Sequence, residues 1–414
     1  MDSSIDRNYK ILVIAPVFYP EVGGYSHALT NFSRFLASKG NLIHVLTFTT
    51  ELEGRKEIED KNIKVYRLKR FKILKGINLF LNEYRMANLI NKLDKKNDYD
   101  FIFFETAELP LTLFFCLTFF KKKYKTGVRI HATTETEVTV FRKKGLYEKI
   151  RYFFLEKAIK KIYVIFSTNS YHLNFVNKYY LKENAYLICG KIEAVIPNII
   201  YGSEKKELAD NNFNFDFLDE NRITFLTVGR MNYDGIIQKG FQDILFALFF
   251  LKNRDYFQNL KLIIVGDGDM REKLIRLSKK LGLENQVMFI KSLPNEKIQF
   301  LQSKVSAVIL ASRFEGCSMF ALESLKNGAP LIFSNVGGIK EMVKPRFNGL
   351  LFEPNNFFDL SKKIDYFIKH LLPKIDKIRK NSIKFYKKKF DSEKTYRKFK
   401  HFLDVMIASK NFKL

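Results

Sequence analysis

The chain has 414 residues, 46% of them hydrophobic, with 71 Lys and Arg against 44 Asp and Glu and a formal net charge of +27. That length is too great for one ordinary core and points to two domains or three, and the apolar fraction is enough to fill them. Three scattered cysteines (Cys116, Cys189 and Cys317) exclude a disulfide framework and fit a reducing, cytoplasmic compartment.

The first ten residues, MDSSIDRNYK, are polar and carry no signal-peptide core. Residues 11–15 read as a buried strand ending before Pro16. PEVGGYS then forms a glycine loop that opens a helix closing near Gly40, and LIHVLTF is a second strand. Strand, helix and strand in this order make a parallel βαβ unit. YDFIFFET, KTGVRIHATTE, KIYVIFSTNS and AVIPN continue as short apolar runs ending in polar loops, the pattern of a parallel sheet covered on both faces. The most apolar run, residues 109–120, has 12 residues, short of the about 20 needed to span a bilayer.

Residues 1–197 are therefore expected to form a first domain. Residues 198–221 are polar, rich in Asn and Asp and poor in pattern, and read as a linker. From residue 222 the alternation restarts: ITFLTVGR, FQDILFALFFLKN, LKLIIVGDG, MREKLIRLSKKLG, QVMFIKSL, NEKIQFLQS, VSAVILAS, APLIFSNVGG and NGLLFEP. This is a second doubly wound sheet over residues 222–385. Residues 386–414 form a basic helical tail expected to pack back on the first domain. The fold class is α/β, with two Rossmann-like domains facing a central cleft, ligands sitting beyond the carboxyl ends of the strands.

The stretch SRFEGCSMFALESLKNGAP, residues 312–330, holds Glu315 and Glu323 eight positions apart. It follows a strand, so residues 313–316 lie in the loop at a strand end. Ser318 is a suitable N-cap, and Gly328 and Pro330 punctuate the other end of the helix. The backbone amides of residues 317–320 then leave the helix N-terminus as an anion site suited to phosphate. Glu323 stands roughly 7 Å along the helix. Two acids placed so do not suit a retaining glycosidase pair, whose carboxyls stand about 5 Å apart. They read either as two clamps on one extended ligand, Glu323 accepting from a ribose diol and Glu315 from sugar hydroxyls, or as two solvated acids on a surface helix.

Arg230 follows the strand ITFLTV, and Lys239, beside Gly240, begins the next helical region. A forked donor and a point charge suit a diphosphate; ordinary surface charge is the alternative. His131 ends the strand GVRI, where a lone histidine is more often structural than catalytic. Gly23 and Gly24 allow either close approach of a ligand to the backbone or a tight turn. Asp267 and Asp269 in VGDGD mimic a metal-binding Asp-x-Asp pair, but acids at a strand-to-helix turn favour the first helical turn, and no metal is assigned.

FEGCSMFALESLKNGAPLIFSNVGGIKEMV resembles the E-x7-E signature of retaining, nucleotide-sugar-dependent glycosyltransferases of the GT-B fold, and more narrowly glycosyltransferase family 4, the group 1 type. PEVGGYSHALTNFSRFLASKG, RIHATTE, AVIPN, TVGRMNYDGIIQKG, LIIVGDGD and NGLLFEP resemble further blocks of that family in its own order. The resemblance implies that Arg230 and Lys239, after Gly229, neutralise the leaving nucleoside diphosphate without a metal or other cofactor. It implies that His131 orients the transferred sugar at its C6 side and that Gly23 and Gly24 face the phosphates or the acceptor. Gly316, Cys317, Ser318, Met319 and Phe320 line the donor beside Glu315 and Glu323, and Ile290 and Leu293 reach the base through backbone atoms. The donor is then a UDP- or GDP-sugar and the acceptor a saccharide or glycolipid. The chain departs from the family pattern at Ile199 and Ser318, where glycines are usual, and at Cys317, where an aromatic is common. An epimerase or phosphorylase of the same two-domain fold is the alternative; the arginine–lysine block favours transfer.

Residues 69–96 and residues 142–161 each carry eight Lys or Arg against two acids, interleaved with apolar side chains. Such mixtures suit an anionic membrane surface, which would place the protein peripherally on the cytoplasmic face of the inner membrane. Helices with buried apolar faces and solvated lysines, in a generally lysine-rich chain, are the alternative. Nucleic acid binding would account for the charge but leaves the ordered motifs unexplained, and no nucleic-acid module is visible.

Overall fold

A computed structural model describes residues 7–21, 23–49, 58–71, 75–106, 108–120, 125–131, 146–181, 191–202, 218 and 222–411. The chain divides into two compact units, one of Met1–Tyr201 with Ser392–Leu414 and one of Gly202–Asp391. Most of the expected linker lies outside the described residues, while Asn198 and Ile199 are buried in the first unit.

The first unit is built on seven parallel strands: β1 (Lys10–Ala15), β2 (Leu42–Thr49), β3 (Ile63–Lys69), β4 (Phe101–Phe104), β5 (Thr126–Ile130), β6 (Val164–Ser167) and β7 (Ile192–Val195). Their order is β3-β2-β1-β4-β5-β6-β7. Successive side chains of a strand face opposite ways, and both faces here are covered. Ile11 and Val13 pack with Phe32 and Leu36 of the helix Gly24–Ser38 and with Phe399 and Leu403 of the C-terminal helix Ser392–Asn411. Leu12 and Ile14 pack on the other side with Met86, Ile90, Leu113 and Ile159. Ile199, a departure from the family pattern, is fully buried in the first of these cores. β3 is an edge strand, half-solvated, and the sequence does not mark it because Arg67 falls on the same face as Ile63 and Val65 and breaks the apolar alternation.

Helices Lys75–Asn97, Pro110–Thr118 and Leu146–Lys161 cover the Leu12–Ile14 face. The two basic segments therefore flank one apolar helix, although residues 72–74 and 142–145 lie outside the described residues. Their outer surface is aromatic. Phe80 meets Phe115 at 5.8 Å between ring centroids, Phe115 meets Phe119 at 5.4 Å, Phe114 meets Phe154 at 5.0 Å and Phe154 meets Phe153 at 5.5 Å. Phe119 is 62% and Phe153 56% exposed. Lys161 and Lys157 stand over Phe114 and Phe153. Among the described residues no helix is long and apolar enough to cross a membrane.

The second unit has six parallel strands, β8 (Ile223–Val228), β9 (Leu260–Val265), β10 (Val287–Ile290), β11 (Ala307–Leu310), β12 (Leu331–Ser334) and β13 (Gly349–Phe352), in the order β10-β9-β8-β11-β12-β13. In each unit the order of strands reverses at one place, beside β1 and β4 in the first and beside β8 and β11 in the second. Loops after such neighbours run in opposite directions and leave a crevice at the strand ends.

Under the aromatic surface Glu83 is buried and accepts from the Thr112 N–H (2.9 Å) and hydroxyl (3.2 Å), covering an otherwise open amide in the first turn of Pro110–Thr118. Burial pushes its carboxyl up to about 7, against the pull of Thr112 and Arg151. The folded chain binds this proton more readily than the unfolded chain. The stability it contributes is full below about pH 4.5 and is lost as pH rises through about 7. Glu83→Gln keeps an acceptor for Thr112 and removes the titration. Scanning calorimetry at about pH 5.5 and 8.5 should find the variant's loss of stability with rising pH smaller by about 1–3 kcal/mol; an unchanged loss would mean that Glu83 titrates as it would in water.

Candidate functional site

Gly229 and Arg230 follow β8, and residues 312–318 follow β11, so the crevice of the second unit gathers them. Close backbone packing fixes the floor. A Cβ on Gly266 would lie 1.9 Å from the Gly229 carbonyl oxygen, so only glycine fits there. Asn232 caps the short helix Tyr233–Lys239 by accepting from Gly235 N–H at 2.8 Å, and Gly240 ends it at φ +61°. Lys239 thus closes one helix, where the sequence suggested that it opens the next. The nine-residue separation folds back through this helix and lays the Lys239 stem against Gly229. Its ammonium donates to Glu315 Oε2 at 2.6 Å, and Ser312 Oγ donates to the same oxygen at 3.3 Å. Arg230 is exposed and forms no ion pair among the described residues.

The Glu315 backbone is anchored from β12's loop. Gly338 N–H donates to the Glu315 carbonyl at 3.0 Å, and Gly337 passes so close, at φ +44°, that a Cβ would stand 2.1 Å from that oxygen. Ser318 is the N-cap of the helix Met319–Lys326, its hydroxyl accepting from Ala321 N–H at 3.4 Å. This accounts for serine at a position where the family resemblance leads one to expect glycine. The N–H groups of Met319 and Phe320 find no partner among the described residues. Gly316 is half-buried at the loop's tip and Cys317 is buried under it. Glu323, 4% exposed, accepts from Asn295 Nδ2 at 3.2 Å. Asn295 begins the helix that follows the β10 loop, so the segment holding Ile290 and Leu293 is tied to Glu323. The Ile290 carbonyl already accepts from Gly266 N–H at 2.8 Å, and Leu293 is half-buried.

Gly23, Gly24 and His131 belong to the first unit. Gly24 begins the helix Gly24–Ser38, Gly23 caps it without any side-chain bond, and a Cβ on either would meet nothing within 4 Å. The Tyr25 ring stands edge-on to His131 at 5.3 Å, and its hydroxyl donates to the Glu105 carbonyl at 3.1 Å. Glu105 ends the β4 segment and is fully buried, as is Arg129 inside β5. Arg129 Nε donates to Glu105 Oε2 at 3.0 Å; its second contact, NH2 to Oε1 at 2.9 Å, is an ion pair without good hydrogen-bond alignment. The guanidinium lies 4.0 Å from the Phe32 ring centroid. His131 Nε2 stands 2.5 Å from Glu105 Oε2. Burial alone would raise the Glu105 carboxyl, but Arg129 and His131 together hold it below its ordinary range. Burial and then Arg129 push the His131 imidazole down, against the pull of Glu105. His172, also buried, is lowered to about 4 by burial and by His131.

Glu105, Arg129, Asn295 and Ser312 were not singled out in the sequence. One signal was available: an arginine inside the apolar run GVRI must find a carboxylate, and FIFFET ends its strand in one.

Gly337→Ala should cost the second unit about 1–3 kcal/mol through a positive φ and a forced shift of the Glu315 loop. Chemical unfolding followed by circular dichroism reads this, and a cost below about 0.5 kcal/mol would show that the loop yields freely.

Residues 209–385 match the family model Glycosyl transferases group 1. An uncharacterized glycosyltransferase of Methanocaldococcus jannaschii is 28% identical over 85% of this chain and 87% of its own length. The lipopolysaccharide 1,6-galactosyltransferase of Escherichia coli is 35% identical over 32% of this chain, a match spanning 36% of that protein. Among solved structures, an Anabaena protein in complex with UDP and glucose superposes with a TM-score of 0.69 at 16% identity, over 96% of this chain and 100% of that one. The two parallel Rossmann-like sheets are those of the GT-B fold, and the chain is related to glycosyltransferases along most of its length.

Proposed function

We propose that this chain, which carries a glycosyl transferases group 1 domain over residues 209–385, is a retaining glycosyltransferase. It moves a hexose or N-acetylhexosamine from a UDP- or GDP-sugar to a hydroxyl of a saccharide or glycolipid acceptor, a lipid-linked precursor of a surface polysaccharide or glycolipid. The observation that carries this reading is the cluster at the β8–β11 crevice: exposed Arg230, the Lys239–Glu315 pair, and the open amides of Met319 and Phe320. Three sources of positive potential at one edge suit a diphosphate. Glu323, ordered by Asn295, is an acceptor for a ribose diol. The galactosyltransferase relative supports a glycolipid acceptor.

Charge builds on the diphosphate as the glycosidic bond breaks, and pre-placed donors serve that demand best. In the free protein the Lys239 charge is held by Glu315. A bound phosphate competes for that ammonium and frees a Glu315 oxygen for the sugar hydroxyls, so one ion pair serves both parts of the donor. Arg230 and Lys239 stand in for a metal ion. The acceptor hydroxyl attacks from the face the diphosphate leaves, and a departing phosphate oxygen takes its proton, as the family resemblance implies.

Thermal-shift measurements against UDP- and GDP-sugars test the reading. One nucleotide sugar should stabilise the chain, Glu323→Ala should weaken that binding about 10- to 100-fold, and Arg230→Ala should lower kcat/KM about 100- to 1,000-fold. No stabilisation by any nucleotide sugar would overturn it.

In this reading the aromatic surface between the basic helices docks on an anionic bilayer, rings at the interface and lysines on headgroups. Sedimentation with vesicles containing anionic lipid should deplete the wild type, and Phe119→Ser with Phe153→Ser should cut bound protein about tenfold or more. Equal binding to neutral vesicles, or no change in the double variant, would leave the lysines as a solvated face.

A further inference from the structure

The strongest unexplained feature outside the donor crevice is the buried triad at the strand ends of the first unit. Arginine only donates, and an ionised carboxylate only accepts. Glu105 is buried against Arg129 at 2.9 and 3.0 Å, so its charge has a partner that cannot be neutralised. The nitrogen standing 2.5 Å from Glu105 Oε2 must then carry a proton, and that nitrogen is His131 Nε2. Arg129 Nε–H is shared between Glu105 Oε2 at 3.0 Å and this ring nitrogen at 3.3 Å; a ring N–H has no free lone pair to accept it, so with Nε2 protonated the shorter bond to the carboxylate is the one that remains.

We propose that Glu105 is the positioning residue of His131: it holds the imidazole as the Nε2–H tautomer and leaves Nδ1 a lone-pair acceptor, so that this site takes a hydroxyl of an uncharged sugar and rejects an anionic group. The tautomer stands on the first unit alone; the ligand class rests on the glycosyltransferase reading.

A protonated ring would donate from both nitrogens and lose this discrimination. Burial and the Arg129 charge oppose that state. No described residue donates to Nδ1. The neighbours do not supply a proton either. Tyr25 spends its hydroxyl on the Glu105 carbonyl, and the His172 ring is bonded through Nδ1 to Asn169, with no hydrogen bond to His131 among the described residues. A carboxylate or phosphate oxygen at Nδ1 would meet a lone pair, whereas a hydroxyl can donate to it.

The test has two arms. Two-bond proton–nitrogen spectra of the full chain labelled with ¹⁵N-histidine read the tautomer of each of the six histidines, with His131→Gln assigning the resonance. A neutral Nε2–H pattern near pH 7.5 is expected. In Glu105→Asp, which keeps a charge for Arg129 but withdraws the oxygen, the two tautomers should mix. An Nδ1–H ring or an imidazolium in the wild type overturns the proposal. The second arm uses nucleotide sugars in which single sugar hydroxyls are replaced by fluorine, which cannot donate. At one position fluorine should lower kcat/KM about 10- to 100-fold, and the same replacement should cost nothing further in His131→Ala. If no position shows that coupling, the ligand class is wrong. A chain inert with every nucleotide sugar overturns the ligand half together with the function, and the spectrum still decides the Glu105 half.

Discussion

In a parallel sheet every strand ends at the same edge, and a reversal of strand order parts the loops that follow two neighbouring strands. Both units obey this constraint, with β1 beside β4 and β8 beside β11. Nearly every polar feature described here stands at one of these two edges. Strand interiors are apolar because helices cover both faces; only their ends can carry charge without a desolvation cost. Lys64, inside the edge strand β3, keeps its charge in solvent, and Arg129 does not. Arg129 is fully buried inside β5, and Glu105 must be ionised to keep it there.

The two crevices use charge in opposite ways. In the second unit positive potential lies open, with Arg230 exposed and two amides that find no partner among the described residues. The close passage of Gly266 by Gly229 and of Gly337 by Glu315 leaves the backbone little room to adjust. In the first unit charge is turned inward. Arg129 and Glu105 cancel, and the group left at the edge is a neutral ring. An open cationic edge selects an anion, and an edge ending in a lone pair selects a donor such as a hydroxyl. Fold alone does not distinguish such edges; the difference lies in five or six side chains.

Much of this was legible in the sequence because it is local. Apolar runs marked the strands, and Ser318, Gly328 and Pro330 bracketed the helix that carries Glu323. What was not legible depends on which strands become neighbours. β3 escaped because an edge strand keeps polar residues such as Lys64 and Arg67. The sequence assigns Lys239 to the start of the following helix because the seven-residue helix Tyr233–Lys239, ended by Gly240 in the left-handed region, leaves no apolar pattern of its own. Glu105 and Arg129 are 24 positions apart and meet only because β4 pairs with β5. The resemblance marked His131 but could not show what its ring nitrogens face.

The Lys239–Glu315 pair sets what a ligand at this crevice must supply. Both side chains are largely buried, 16% and 13% exposed, at 2.6 Å. Removing one partner of such a pair leaves a charge that the surroundings no longer compensate, at about 3–5 kcal/mol. A ligand that separates them must therefore compensate both charges, and a sugar hydroxyl alone or a phosphate alone meets only half of that demand. A diphosphate joined to a sugar meets both, placing an anion on the ammonium and a donor on the carboxylate. Under the function proposed above, the pair would act as a filter for the intact nucleotide sugar over its fragments, since a bare nucleoside diphosphate on Lys239 would leave Glu315 only its bond from Ser312.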